Sequence, residues 1–250
     1  MIVLRFLRTI FGWLFILLTT MTLALFIAIS GDTEFSEGVL RVWSRIFLAV
    51  AGAEVVTSKH PKIERGKSYV YVSNHTSNLD VPAILWTAGV PLRFIAKKEL
   101  QRIPLFGWAA RRMGHVFIDR KDSRGAALAI RKRIERGLTG VGLFFFAEGT
   151  RATTEELLPF KKGAAIAAIE TGLDCVPIAV AGAREVLKPK GFSLFQPGRV
   201  AVVYGEPVPV AGHTLDDRSI LVAEQREAVE RALQEARALL SAGALQATPR

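Results

Sequence analysis

The sequence predicts an α/β protein: a mostly parallel or mixed central sheet flanked by helices, preceded by an N-terminal membrane-embedded two-helix element. Three observations predict it. From about Ser58 onward, short runs rich in Val, Ile and Phe alternate with stretches of helical periodicity, the pattern of a sheet covered on both faces. Ahead of them, residues 10–29 carry no charge; about twenty apolar residues at ~1.5 Å each match a hydrocarbon core of roughly 30 Å. Between the two, residues 39–50 are amphipathic but broken by Arg41 and Arg45, which suits an interface better than a lipid centre. The expected division is residues 1–57 for the membrane-anchoring element and 58–250 for the α/β domain.

Arg5 and Arg8 precede the first apolar run, and Asp32, Glu34 and Glu37 follow it. Its length exceeds the ~7–15 residues of a signal-peptide core. As a single span with the arginines in the cytosol, it would carry the rest of the chain outside. As a hairpin with residues 39–50, it would dip into one leaflet instead.

The α/β elements follow in order. Residues 68–73 read as a strand and 81–87 as a helix, then 92–96 as a strand and 105–112 as a helix. Residues 115–118 are a third strand before the helix 123–136. Residues 141–146 are the most apolar run, as a central buried strand requires. Residues 162–170 are helical, 174–180 and 199–204 extended. Residues 219–240 form an amphipathic covering helix, with Val222, Val229, Leu233, Ala236 and Leu240 on one face.

At 250 residues the chain suits one sizeable domain with an accessory element, and half of it is apolar. Lys and Arg outnumber Asp and Glu by 33 to 23, a net charge of +10. Such a surface attracts nucleic acid, anionic lipid or phosphorylated substrates. The apolar N-terminus favours an anionic membrane surface, and no nucleic-acid recognition motif is visible. The single cysteine, Cys175, excludes an intrachain disulfide and lies in an apolar run, which suits a buried small hydrophobe.

His75 and Asp80 carry the chemistry. They stand five apart, just after the apolar run of residues 69–72. On a continuous helix they would lie ~140° apart, so they meet only if the chain turns between them. Ser77, Asn78 and Asp80 are the residue types that make such a turn. A carboxylate on one ring nitrogen fixes the tautomer and leaves the other to take a proton. Two further segments end strands in polar residues: Asp119-Arg120, and Glu148-Gly149-Thr150-Arg151. Ligands of open α/β sheets bind beyond the carboxyl ends of the strands. Arg120 and Arg151 suit a phosphate there, with Gly149 letting a backbone N–H approach the anion and Thr150 adding a hydroxyl. Alternatively, the two arginines pair with Asp119 and Glu148 at the surface. The histidines show no metal-ligand spacing, so neither metal nor cofactor is expected.

These motifs together resemble the glycerolipid acyltransferase family, in particular its 1-acyl-sn-glycerol-3-phosphate acyltransferases. Asn74, His75 and Asp80 match the first motif, Phe117 to Arg120 the second, Phe146 to Arg151 the third, and Val176-Pro177-Ile178 the fourth. Residues 97–108 and 158–163 are also typical, and the likeness covers roughly residues 68–178. The resemblance implies acyl transfer from a thioester, acyl-CoA or acyl carrier protein, to the free hydroxyl of lysophosphatidic acid. It implies His75 and Asp80 as the catalytic pair, and Arg120, Glu148, Gly149, Thr150 and Arg151 around the acceptor, with Lys98 a further phosphate contact. Cytosolic donors favour the hairpin, with the protein membrane-associated at the cytoplasmic face of the inner membrane. Another acceptor, a lipid hydrolase and a non-catalytic membrane-binding module stay open as alternatives. One departure is Ala147 in place of the usual proline, which frees φ there and is expected to soften the loop bearing Glu148.

Overall fold

A computed structural model describes residues 2–119, 122–135, 137–138, 140–154, 156–189 and 195–245. Two helices lead the chain, α1 (Ile2–Ser30) and α2 (Glu34–Ala51). The turn between them is set by Thr33, whose Oγ1 accepts the Ser36 N–H at 3.1 Å, with Glu34 and Glu37 in the first turn of α2. Gly52 ends α2 at φ +78°, a left-handed conformation open to glycine.

Seven strands then form one sheet: β1 (Ala53–Lys59), β2 (Val70–Ser73), β3 (Leu92–Lys97), β4 (Val116–Ile118), β5 (Gly142–Phe146), β6 (Cys175–Ala181) and β7 (Gly198–Tyr204). Their order is β1-β7-β6-β2-β5-β3-β4. All neighbours are parallel except β6 and β7, so the sheet is mixed, as the sequence allowed. The intervening helices are α3 (Asp80–Thr87), α4 (Phe106–Arg112), α5 (Ser123–Glu135), α6 (Gly163–Thr171), α7 (Ala183–Val186) and α8 (Arg218–Leu245), with a 3-10 segment at Lys98–Arg102. The expected end of α5, Arg136, lies outside the described residues.

Strand β1 was not expected, and it crosses the anticipated boundary between residues 57 and 58. It pairs with β7 from Ala53↔Gly198 to Lys59↔Tyr204, so the sheet begins immediately after α2. Its edge position explains the missing signal. Glu54, Thr57 and Lys59 interrupt the apolar residues because only part of the strand is covered.

Each sheet face has its own core. Tyr71, Phe144, Ile178 and Val202 project toward α2 and α3, meeting Phe47, Leu48, Leu79 and Ile84. Val70, Val72, Leu143 and Phe145 project the other way, toward α6 and α8. The first two helices lie on the domain rather than apart from it. Ile16 of α1 joins the first core, and Thr9 Oγ1 accepts the Phe195 N–H at 3.2 Å. At the other end of α1, the guanidinium of Arg93 on β3 donates to both oxygens of Asp32 (2.7 and 2.8 Å) and to Glu37 (2.6 Å). Arg93 is only 2% exposed. Two of the three acids that follow the apolar run are thus partners of a buried cation.

Candidate active site

Parallel β2, β5 and β6 end side by side, with Ser73 level with Phe146 and Ile178. The loops leaving these three strands build the site. Asn74 follows β2 directly. Its buried amide donates to Val180 O and its carbonyl accepts Val180 N–H, both at 2.9 Å, which continues the ladder through a side chain. His75 comes next, and the chain turns back so that α3 opens with Asp80.

Asp80 is fully buried and its Oδ2 organises the turn. It accepts the Thr76 N–H at 2.6 Å and the Ser77 N–H at 2.8 Å, and lies 2.7 Å from His75 Nδ1. The turn required by the five-residue spacing is therefore made by the carboxylate itself. With Nδ1 against a carboxylate the proton sits there, and Nε2 is left as the accepting nitrogen. Phe146 stacks on the imidazole with ring centroids 3.8 Å apart and planes 14° from parallel, fixing the ring from its face. Ser77 Oγ donates to Leu187 O at 2.7 Å, so its hydroxyl belongs to the turn.

The loop after β5 holds the backbone of His75. Glu148 Oε1 accepts the His75 N–H at 2.9 Å, and Ala152 N–H donates to His75 O at 2.8 Å. The other oxygen, Glu148 Oε2, accepts the Leu158 N–H at 3.1 Å. Glu148 therefore does not pair with Arg151 at the surface; its carboxylate is buried and turned onto two backbone amides. Burial raises its pKa, opposed by those two hydrogen bonds. The N–H of Gly149 is likewise turned inward, donating to Phe146 O at 3.0 Å, rather than offered to an anion. The glycine is needed for its φ of +70°. Ala147 corrects the expected softening: its N–H donates to Ser73 O at 3.0 Å, a bond that proline cannot make.

Arg151 reaches the site. Its Nη1 donates to Asn78 Oδ1 at 2.7 Å, beside His75. Thr150 is exposed on the same loop. Lys98 is exposed on the 3-10 segment and does not line the cavity next to His75, whereas its neighbour Lys97 does. Arg120 lies outside the described residues. Two contributors escaped the sequence reading: the stacking role of Phe146 and the buried Arg93.

That cavity measures about 430 Å³ and is mainly apolar, within the usual range of roughly 300–1,000 Å³ for ligand sites. Leu23 and Ile27 of α1, Trp43 and Phe47 of α2, and Phe94 and Met113 of the domain line it, while His75, Asn78 and Phe146 contribute polar and aromatic wall. His115 also lines it and adds no charge, because burial, then Arg93 and Arg133, push its pKa down to about 3. Its Nδ1 accepts the Phe94 N–H at 3.1 Å. Among the described residues, no three His, Cys, Asp or Glu side chains come together as a metal site. Cys175 is buried and its thiol is pushed up to about 12, so it is no nucleophile.

The chain is similar to known proteins in sequence and in fold. The family model described as Acyltransferase matches residues 52–181, just over half of the chain. A chloroplastic 1-acyl-sn-glycerol-3-phosphate acyltransferase of Brassica napus is 37% identical over 139 residues, covering 56% of this chain and 40% of that protein. A bacterial protein of the same name, from Haemophilus influenzae, is 29% identical over 168 residues, covering 66% and 68%. The chain thus spans only about two fifths of the length of the plant relative. The crystal structure of the 1-acyl-sn-glycerophosphate acyltransferase of Thermotoga maritima superposes with a TM-score of 0.75 at 26% identity, covering 98% of this chain and 99% of that one. The family match includes β2, β5, β6 and the loops that hold His75, Asp80 and Glu148; by that match and the shared fold, the chain belongs to the Acyltransferase family.

Proposed function

We propose that the protein is a membrane-bound O-acyltransferase. It moves a fatty acyl group from a thioester, acyl-CoA or acyl carrier protein, to the free hydroxyl of 1-acylglycerol 3-phosphate, giving phosphatidic acid. The observation that carries this reading is His75, held 2.7 Å from buried Asp80, in the wall of a mainly apolar cavity of about 430 Å³. His75 Nε2 takes the proton of the acceptor hydroxyl as that oxygen attacks the thioester carbonyl, and Asp80 steadies the imidazolium. The tetrahedral intermediate collapses with cleavage of the C–S bond. The thiolate leaves readily, a thiol pKa being ~8.5, and recovers a proton from the imidazolium. Arg151 and Arg120 hold the acceptor phosphate, while Glu148 and Gly149 act through the loop by keeping His75 in position.

In this proposal α1 and α2 form a hairpin in one leaflet. Residues 9–30 are long and apolar enough to cross a membrane. Yet Thr9 and Asp32, roughly 35 Å apart at ~1.5 Å per residue, are both bonded to the same domain. A helix tied near both ends lies beside the domain instead of passing away from it, which supports association with one face of the membrane; the cytosolic donors of this proposal make that the cytoplasmic face. The experiment is product analysis by mass spectrometry, offering lysophosphatidate, glycerol 3-phosphate and a lyso-amino-acid lipid with each donor. Phosphatidate formed from lysophosphatidate is expected. Free fatty acid without an acceptor would make the protein a hydrolase, and no product with any acceptor would end the catalytic reading.

A further inference from the structure

Apart from the first two helices, a second stretch exposes large apolar side chains in an unusual setting: the 3-10 segment Lys98–Arg102 with the following turn and α4. Leu100, Ile103 and Trp108 are 39%, 42% and 48% exposed. Exposed cations interleave with them, Lys98, Arg102, Arg111 and Arg112, against one carboxylate, Glu99, which pairs with Lys97 at 3.2 Å. The stretch turns tightly on itself. Leu105 holds φ +60°, a strained value for a non-glycine residue, and a Cβ on Gly107 would come within 2.1 Å of Gln101 O. Its inner side packs on α1, with Ala109 and Met113 against Leu23, Ala24 and Ile27, while Arg112 donates to Ile29 O. Phe106 and Ala109 also line the cavity that holds His75.

We propose that residues 98–112 form a second lipid-contacting surface that rests on the anionic leaflet beside α1, independently of the apolar hairpin. Three features select lipid as the occupant. Aromatic and aliphatic tips alternate with Lys and Arg, the composition of a membrane interface. The net positive charge complements anionic headgroups. The surface is continuous with α1, so the hairpin brings it to the leaflet. The same segment therefore meets lipid outside and the cavity inside, giving an acyl chain a path from the leaflet that avoids water. This inference rests on the membrane-bound reading above.

The test labels single cysteines with a nitroxide in the full chain bound to vesicles of phosphatidylcholine and phosphatidylglycerol. Buried Cys175 stays unlabelled. Labels go to Ile103→Cys and Trp108→Cys, with Leu25→Cys on α1 and Leu215→Cys before α8 as references, both exposed positions. Spin relaxation by oxygen against a water-soluble nickel chelate reports depth. Lipid-like values at 103 and 108, matching 25 and opposite to 215, are expected. Water-like values at 103 and 108 with a lipid-like 25 would overturn the second surface and leave the hairpin standing. A water-like 25 would overturn the membrane reading as well. Dipolar broadening between labels at 103 on different chains would assign the surface to a second copy and overturn the proposal. Arg102→Gln and Arg111→Gln should each weaken binding to anionic vesicles about five-fold; an equal loss on neutral vesicles would overturn the electrostatic part.

Discussion

Replacing Asp80 with Asn isolates the charge beside the imidazole. The Oδ2 of Asp80 accepts from Thr76 N–H and Ser77 N–H and faces His75 Nδ1. An asparagine carbonyl can keep both backbone bonds, so the turn should persist, at a stability cost of about 1–2 kcal/mol for exchanging charge-assisted bonds for neutral ones. What disappears is the carboxylate's attraction for a developing imidazolium. Unit charges ~4 Å apart at an effective dielectric of ~20 interact by about 4 kcal/mol. The imidazolium is only part-formed at the transition state, so ~2–4 kcal/mol is lost, a fall in kcat of roughly 30- to 1,000-fold. Release of free thiol from acyl-CoA in the presence of lysophosphatidate measures the rate, and circular dichroism checks the fold. A folded Asp80→Asn retaining more than a third of wild-type turnover, beside an inactive His75→Ala, would refute the reasoning and leave Asp80 as a turn-former alone.

Three further outcomes are expected. Ser77→Ala removes a hydroxyl bonded to Leu187 O, so it should cost about 1–2 kcal/mol of stability and leave substantial turnover; a folded but inactive variant would instead indicate a serine nucleophile. Glu148→Gln has one carbonyl oxygen for the two backbone N–H groups of His75 and Leu158, so stability should fall by about 1–3 kcal/mol and kcat with it. Because burial raises the Glu148 pKa above 4.5, the folded state holds a proton there that the unfolded chain has released, and wild-type stability declines as pH rises through that window. The Gln variant should lack this component, read by urea unfolding at several pH values. Arg93→Met leaves half-buried Glu37 without its cation while the more exposed Asp32 is solvated, at about 1–3 kcal/mol, and should speed amide exchange across residues 27–40; unchanged exchange would mean that apolar contacts alone hold the hairpin.

Much of this was legible in the residues because it is local. The buried strands β2, β5 and β6 announce themselves as unbroken apolar runs, and the turn between His75 and Asp80 follows from spacing plus residue type. Edge strand β1 was hidden by its irregularly spaced Glu54, Thr57 and Lys59, since partial cover leaves no clean apolar signal. Arg93 was hidden for the opposite reason. In Leu92-Arg93-Phe94 an arginine reads as an outward-facing position, and only the arrival of Asp32 and Glu37, some sixty residues earlier in the chain, makes it buried. The inward turn of Glu148 and of the Gly149 N–H was equally closed to sequence reading, because all three partners are backbone groups, which carry no residue identity.

The bond from Ala147 to Ser73 has a practical corollary. It joins the end of β2, which leads to His75, to the end of β5, which leads to Glu148. One amide proton thus reports whether the two halves of this sheet edge are seated together. Its exchange rate with deuterated solvent is a residue-resolved gauge of assembly, available without substrate, and a proline at that position would have left no proton to watch.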